Sequence, residues 1–505
     1  MTGTTKNFAF FVAMIASSIT LTPGQQAKPP EGAEFVVRNG TSLQLSGKPF
    51  RYSGPNVEWL GLEAYGPLDP LGPRYPSHFE VDDVLDTAKE MGARVIRSQT
   101  LADSVGCDLC IEPRLGVFNP KAFDSTDYAI KAAHDHGIRL VMPLVGDCAT
   151  CYWGGLGKYL EWTHQKDLGA FFTEPATIAA FEQHIDAVLN HKNALTGVLY
   201  KDDPTILAWE DCNMCGIVPL FTSSQRSLAP YVAWVDTIGK FIKSVDARHL
   251  FFDNSGLFHF DKGALDTRSP DAITSEYYPH WDALFAMGQK TTAQSFSHDA
   301  AEVTGHGKVY AVSEFGWDTT DWPTREDFQA VLHCLEGDPK ISGDGFWALQ
   351  AHLDNFGWQP LPANVANAAY AHNGESGQWW ALYYSGINTL VNTSDDMRAR
   401  AQQLRNHAYA MAGMPVPPHR TPPPPVITTV GLGVIGWRGS AGAVNYSVQR
   451  QVGEAGNWET ICNRCATDAD SPWVDPKPAT TLLGVKYRVI AFNADGTPSA
   501  PSAPR

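Results

Sequence analysis

The chain is short of positive charge. Its 505 residues carry 38 Lys and Arg against 54 Asp and Glu, a formal net charge of -16. A surface of that sign repels phosphate backbones and anionic headgroups, which argues against nucleic acid and anionic lipid as partners. Long hydrophobic runs are scarce as well. The one that stands out, Phe8 to Leu21, is too short to span a bilayer, so no membrane-spanning segment is expected. With Lys6 ahead of it, that run has the size of a signal-peptide core. Residues 1–27 are therefore expected to be a signal peptide, and the protein to be exported to a periplasmic or extracellular space. Charged residues make up 18% of the chain and hydrophobic ones 43%, a composition that excludes a disordered or membrane-embedded protein.

Cysteine is present in an unusual arrangement. Eight of the nine fall in Cys-x-x-Cys pairs, 107/110, 148/151, 212/215 and 462/465, and Cys334 stands alone. In an exported chain such pairs are read as disulfides, and in a reducing compartment as zinc ligands or free thiols. The count leaves the three open.

From Phe35 to Gly413 short apolar runs alternate with amphipathic helical stretches, the rhythm of repeated βα units. Strands are expected at 50–54, 94–97, 139–144, 206–209, 250–253, 272–274, 309–312 and 345–347. Helices are expected at 81–91, 125–136, 178–189, 228–245 and 395–412. Eight strands with intervening helices predict an α/β fold, a (β/α)8 TIM barrel spanning 35–413. Residues 414–425, rich in proline, read as a stiff extended linker. Beyond them, 426–505 alternates as a small all-β domain does. Its segment Leu483-Gly484-Val485-Lys486-Tyr487 followed by Asn493-Ala494-Asp495-Gly496 resembles a fibronectin type III sandwich. The resemblance makes Trp437 an early core tryptophan, Tyr487 a tyrosine corner, and the domain a spacer or attachment module.

Two strand ends carry the chemistry. Ile206-Leu207-Ala208-Trp209-Glu210-Asp211-Cys212-Asn213-Met214 and Val312-Ser313-Glu314-Phe315-Gly316 each turn from apolar to polar where a barrel strand delivers side chains into a catalytic mouth. Further segments follow in barrel order: Gly47-Lys48-Pro49-Phe50-Arg51-Tyr52-Ser53-Gly54-Pro55-Asn56, the run ending in Arg97, Phe123-Asp124-Ser125-Thr126-Asp127-Tyr128, Asp203-Pro204-Thr205, Tyr278-Pro279 and Gly345-Phe346-Trp347. Together these resemble glycoside hydrolase family 5, most closely its β-mannanase-like members.

The resemblance implies a retaining β-glycan hydrolase in which two carboxylates about 5–5.5 Å apart act as nucleophile and as acid/base. It makes Glu314 the nucleophile, Arg97 the cation that keeps it ionised, and Tyr278 its hydrogen-bond donor. Asn213 would hold the sugar 2-hydroxyl and Trp347 would form the platform beneath the ring. Trp153, Trp317 and Trp358 are further candidate sugar-stacking residues, and each is equally well read as packing. The substrate implied is a β-linked, mannan-like oligo- or polysaccharide, with no cofactor or metal and a monomeric protein.

The sequence departs from the family where the acid/base should stand. Met214 follows Asn213, and a thioether cannot protonate a leaving oxygen. Glu276, two residues before Tyr278 on one strand, faces the same way and is a candidate relocated acid, or else a carboxylate that only hydrogen-bonds. The alternatives are a silent carbohydrate-binding barrel, and a transglycosylase or an enzyme restricted to good leaving groups.

Overall fold

The computed structural model describes residues 34–63, 72–146, 153–215, 229–254, 262–282, 290–359, 380–389, 391–453, 456–468, 472–478 and 484–505. The expected signal peptide and the pair Cys148 and Cys151 lie outside these. After a small antiparallel flap over 37–49, eight parallel strands follow in one sheet. They are β1 (Tyr52–Pro55), β2 (Val95–Arg97), β3 (Arg139–Pro143), β4 (Ile206–Glu210), β5 (Leu250–Asp253), β6 (Ala272–Tyr277), β7 (Val309–Gly316) and β8 (Ile341–Trp347). Their order is β1-β8-β7-β6-β5-β4-β3-β2. The ring closes between its ends: Arg94 N donates to Ser53 O, Val57 N donates to Arg97 O, and Asn56 bridges Arg97. This is the expected TIM barrel, and all eight expected strands are present.

The helices begin and end on local chemistry. Ser77 caps α1 (His78–Glu90) in a reciprocal capping box with Glu80. Asn119 caps α2 (Pro120–His136), which stops at Gly137 with φ 72°, a left-handed value that glycine tolerates best. Outside the barrel follow α3 (Pro175–Leu189), α4 (Ala229–Val245), α5 (Ala293–Gly305), α6 (Arg325–Gly337) and α7 (Ser394–Met411). Apolar side chains between helices and strands form the main core, while Tyr52, Val95, Val141, Ala208, Phe252 and Ala311 belong to a second cluster. No helix among the described residues is long and apolar enough to cross a membrane.

The carboxyl-terminal part forms two three-stranded antiparallel sheets. One joins β9 (Val426–Gly431), β10 (Val434–Arg438) and β13 (Trp473–Val474). The other joins β12 (Glu459–Ala466), β11 (Asn445–Val452) and β14 (Val485–Phe492). Trp437 is buried between them with Ile435, Tyr446 and Val489. The Tyr487 hydroxyl donates to the side chain of Asp475 at 3.2 Å, rather than to the backbone contact expected of a tyrosine corner.

This unit is not held at a distance. His352 lies between Asp83 of α1 (2.9 Å) and Asp468 after β12 (2.8 Å), and these carboxylates outweigh burial to raise its pKa to about 10. His419, in the expected linker, bonds Glu90 at 2.8 Å, and the guanidinium of Arg405 donates to Glu90 and to the carbonyl of Pro417. The extended segment therefore lies against the barrel wall, where the Pro417 carbonyl accepts from Arg405 and His419 bonds Glu90.

Cys107 and Cys110, Cys212 and Cys215, and Cys462 and Cys465 form disulfides, and Cys334 is a free thiol. The first two pairs follow β2 and β4 on the carboxyl-terminal rim.

Candidate active site

Glu314 sits near the end of β7, and a register shift after Val312 sets it directly beside Glu276 of β6. The site is built outward from that pair. Arg97, the last residue of β2, donates from Nη1 to Glu314 Oε1 at 2.5 Å. Its Nε and Nη2 fork onto Glu210 of β4 at 3.0 and 2.5 Å, and Nη2 also reaches Asn213 Oδ1 at 2.7 Å. Tyr278, just past β6, donates its hydroxyl to Glu314 Oε2 at 2.5 Å. Gln99 completes the cage, its amide nitrogen 3.3 Å from Glu314 Oε1 and 3.5 Å from Asn213 Oδ1. Asn56 supports the floor, accepting from Arg97 at 3.2 Å and donating to the carbonyl of Ser313 at 2.9 Å.

The electrostatics follow from one guanidinium among three buried carboxylates. Burial pushes the Glu314 carboxyl above its ordinary value, and Arg97 and Tyr278 pull it back only in part. Arg97 is divided between Glu210 and Glu314, so its charge is shared. Burial likewise raises Glu210, against the opposing pull of Arg97. Burial, reinforced by the charge of Glu314, lifts Glu276 well above the carboxylate range. Arg97 itself is held charged by Glu210 and Glu314 despite its burial.

Glu276 has the raised pKa an acid needs, and it is fully buried. It is 0% exposed, is the register partner of Glu314, and accepts at Oε1 from Asn254 Nδ2 at 3.0 Å. Its second oxygen, Oε2, has no hydrogen-bond partner and is sealed in the barrel interior. As it stands, its carboxyl meets Asn254 and the other buried carboxylates rather than solvent.

Met214 stands on the rim, one residue beyond Asn213, partly exposed and with φ 60°. The Cys212–Cys215 disulfide closes the loop on either side of it, and Asn213 N donates to the carbonyl of Val145 at 2.7 Å. Behind this loop Asp211 accepts from the backbone amides of Cys212 (2.7 Å) and Asn254 (3.1 Å). Trp347 ends β8 directly opposite Gly316 of β7, on the same rim.

The other aromatic candidates separate from this cluster. Trp317 is 0% exposed and donates its ring nitrogen to the carbonyl of Trp380, leaving no face for a sugar. Trp358 is stacked on His352 at 3.7 Å, beside the carboxyl-terminal sheets. Trp153 packs with Leu62 and Cys110 in a small rim cluster. Aromatic count could not reveal these destinations, because a tryptophan in a loop packs inward as readily as outward.

Sequence reasoning missed Gln99 and Trp380. Trp380 packs its ring 4.7 Å from that of Tyr278, and its ring nitrogen donates to Asp321 at 2.5 Å. Asp321 also accepts from the backbone of His280 at 2.7 Å, so it ties the residues around Tyr278 together. Gln99 had a signal, two residues past Arg97 at a strand end. Trp380 had none, since it comes to the site from far along the chain.

Comparisons with known proteins agree with this architecture. The family described as GH family 5 beta-mannosidase-like matches residues 33–258. Putative mannan endo-1,4-beta-mannosidase 9 of Oryza sativa subsp. japonica is 30% identical over 382 residues, covering 67% of this chain and 87% of that protein. Putative mannan endo-1,4-beta-mannosidase P of Arabidopsis thaliana is 28% identical over 280 residues, 53% of this chain, and the chain spans 64% of its length. Among solved structures, the endo-1,4-beta-mannanase from Rhizomucor miehei aligns with a TM-score of 0.57 at 24% identity, covering 75% of this chain and 100% of that one, a likeness of fold. The chain belongs to the glycoside hydrolase family 5 beta-mannosidase-like family.

Proposed function

We propose that the protein is a retaining glycoside hydrolase acting on β-linked mannosides, with Glu314 as nucleophile. The observation that carries this reading is the grip on Glu314: one oxygen on Arg97 and the other on Tyr278, each at 2.5 Å. Two strong donors fix a carboxylate's orientation while it waits for an electrophile, which suits attack on an anomeric carbon. Asn213 spends its carbonyl on Arg97, so its amide nitrogen is the end turned to a sugar 2-hydroxyl. Trp347 supplies the platform for the ring. Export, and a fibronectin type III-like role for residues 426–505, belong to the same proposal.

A second reading is favoured by Met214: a barrel that binds saccharide and does not turn it over. An activated aryl β-mannoside separates the two. Attack by Glu314 releases about one equivalent of phenol in a burst, followed by a slow steady state because no base assists water. A binding barrel releases none, and that result sinks the hydrolase reading.

A further inference from the structure

We propose that this site selects mannosides whose leaving group departs without a proton: a phenol or a carboxylic acid joined to the anomeric carbon, in place of a second sugar. The inference rests on the reading of Glu314 as nucleophile and adds the class of aglycone.

Three observations carry it. By the resemblance the acid's position is Met214, which the Cys212–Cys215 ring and the pairing of Asn213 with Val145 fix on the rim beside Asn213. Next, the neighbouring carboxylates among the described residues are committed elsewhere. Glu210 is clamped on both oxygens by Arg97, and Glu276 is fully buried and bonded to Asn254. Last, the partly exposed surface that Met214 offers is apolar and polarisable. Such a surface favours an aromatic or acyl group over the hydroxyl-studded face of a sugar, whose polar groups would lose their water there.

The chemistry balances without an acid. A Glu314 oxygen forms a bond to the anomeric carbon as the bond from that carbon to the aglycone oxygen breaks, and the electron pair leaves on a phenolate or carboxylate. Water then attacks the same carbon, the Glu314 carboxylate is released, and the proton of the water passes to solvent. A phenol titrates near about 10 and a carboxylic acid near about 4, so either anion leaves readily. A sugar alkoxide is a far stronger base than either anion, and its departure needs the protonation that is worth on the order of 10²–10⁴ in rate.

The test uses the full chain with aryl β-mannosides of graded phenol acidity, an acyl β-mannoside and β-1,4-mannobiose. The expected result is a kcat/KM that falls at least about 100-fold from the most to the least acidic phenol, ready cleavage of the acyl mannoside, and no measurable cleavage of mannobiose. Azide, an anion that needs no base, should raise the steady-state rate on aryl substrates and yield mannosyl azide. Met214→Glu should confer mannobiose cleavage. Cleavage of mannobiose by the native protein within about tenfold of the best aryl substrate overturns the inference, since a proton donor must then be at work, yet leaves Glu314 as nucleophile. Absence of both turnover and a covalent sugar overturns the hydrolase reading together with it.

Discussion

Glu314 and Glu276 are register partners on neighbouring strands, and one guanidinium, Arg97, serves the charge of the whole cluster. Two carboxylates so close in a buried site do not both ionise, and the one without the hydrogen bonds of Tyr278 and Arg97 keeps the proton. Glu276 is that one.

Glu276→Gln therefore imitates the native protonated state. We expect turnover of an activated aryl mannoside to stay within about threefold of the native rate. The stability effect depends on pH. A carboxyl whose folded pKa is raised contributes fully below its unfolded value of about 4.3, and that contribution is lost as pH rises through the folded pKa. The variant should gain on the native protein in urea midpoint as pH increases; a constant difference from pH 4 to 9 would contradict the assignment.

Tyr278→Phe removes a hydrogen bond that holds the Glu314 carboxyl down, so that pKa climbs further. Because the nucleophile must be ionised, the acid limb of kcat/KM should move to higher pH, with a loss of about 10–100-fold at its plateau. An unmoved limb would show that the contact does not govern ionisation.

Gly316→Ala probes the packing behind Tyr278. A Cβ there would stand 1.6 Å from Asp321 Oδ2 and 2.6 Å from the ring nitrogen of Trp380, so Asp321 and Trp380 must separate. Overpacking of this kind costs about 1–3 kcal/mol, and the loosened Tyr278 should lower kcat more than it raises KM. Native stability and rate in the variant would remove Trp380 from the positioning of Tyr278.

His352 makes the two parts of the chain titrate together. Its folded pKa of about 10 stands above the unfolded value of about 6.5, so its contribution is complete below about 6.5 and disappears as pH climbs through about 10. The size is at most ~4–5 kcal/mol by linkage for this buried group. We expect one cooperative thermal transition whose Tm falls across that window, and a flattened dependence in His352→Gln. Two separate transitions at neutral pH would show that the sheets fold apart from the barrel.

Much of the barrel was legible because each strand is a short apolar run bounded by turns, and period alone places it. Glu314 was legible as the polar end of an apolar strand, and Arg97, Tyr278 and Asn213 through the resemblance to glycoside hydrolase family 5. The register was not: the shift after Val312 that sets Glu314 beside Glu276 leaves no mark in the sequence, so the burial of Glu276 among the other carboxylates could not be foreseen. The docking of the carboxyl-terminal sheets was hidden for a related reason. It depends on single pairings such as His352 with Asp468, made between residues far apart in the chain.

The most direct measurement is peptide-mapped mass spectrometry after incubation with an activated 2-deoxy-2-fluoro-β-mannoside, which slows release of the covalent sugar. The account predicts one added fluoromannosyl group, on the peptide carrying Glu314, and none in Glu314→Gln. Label on another carboxylate, or none while phenol is released, would contradict it.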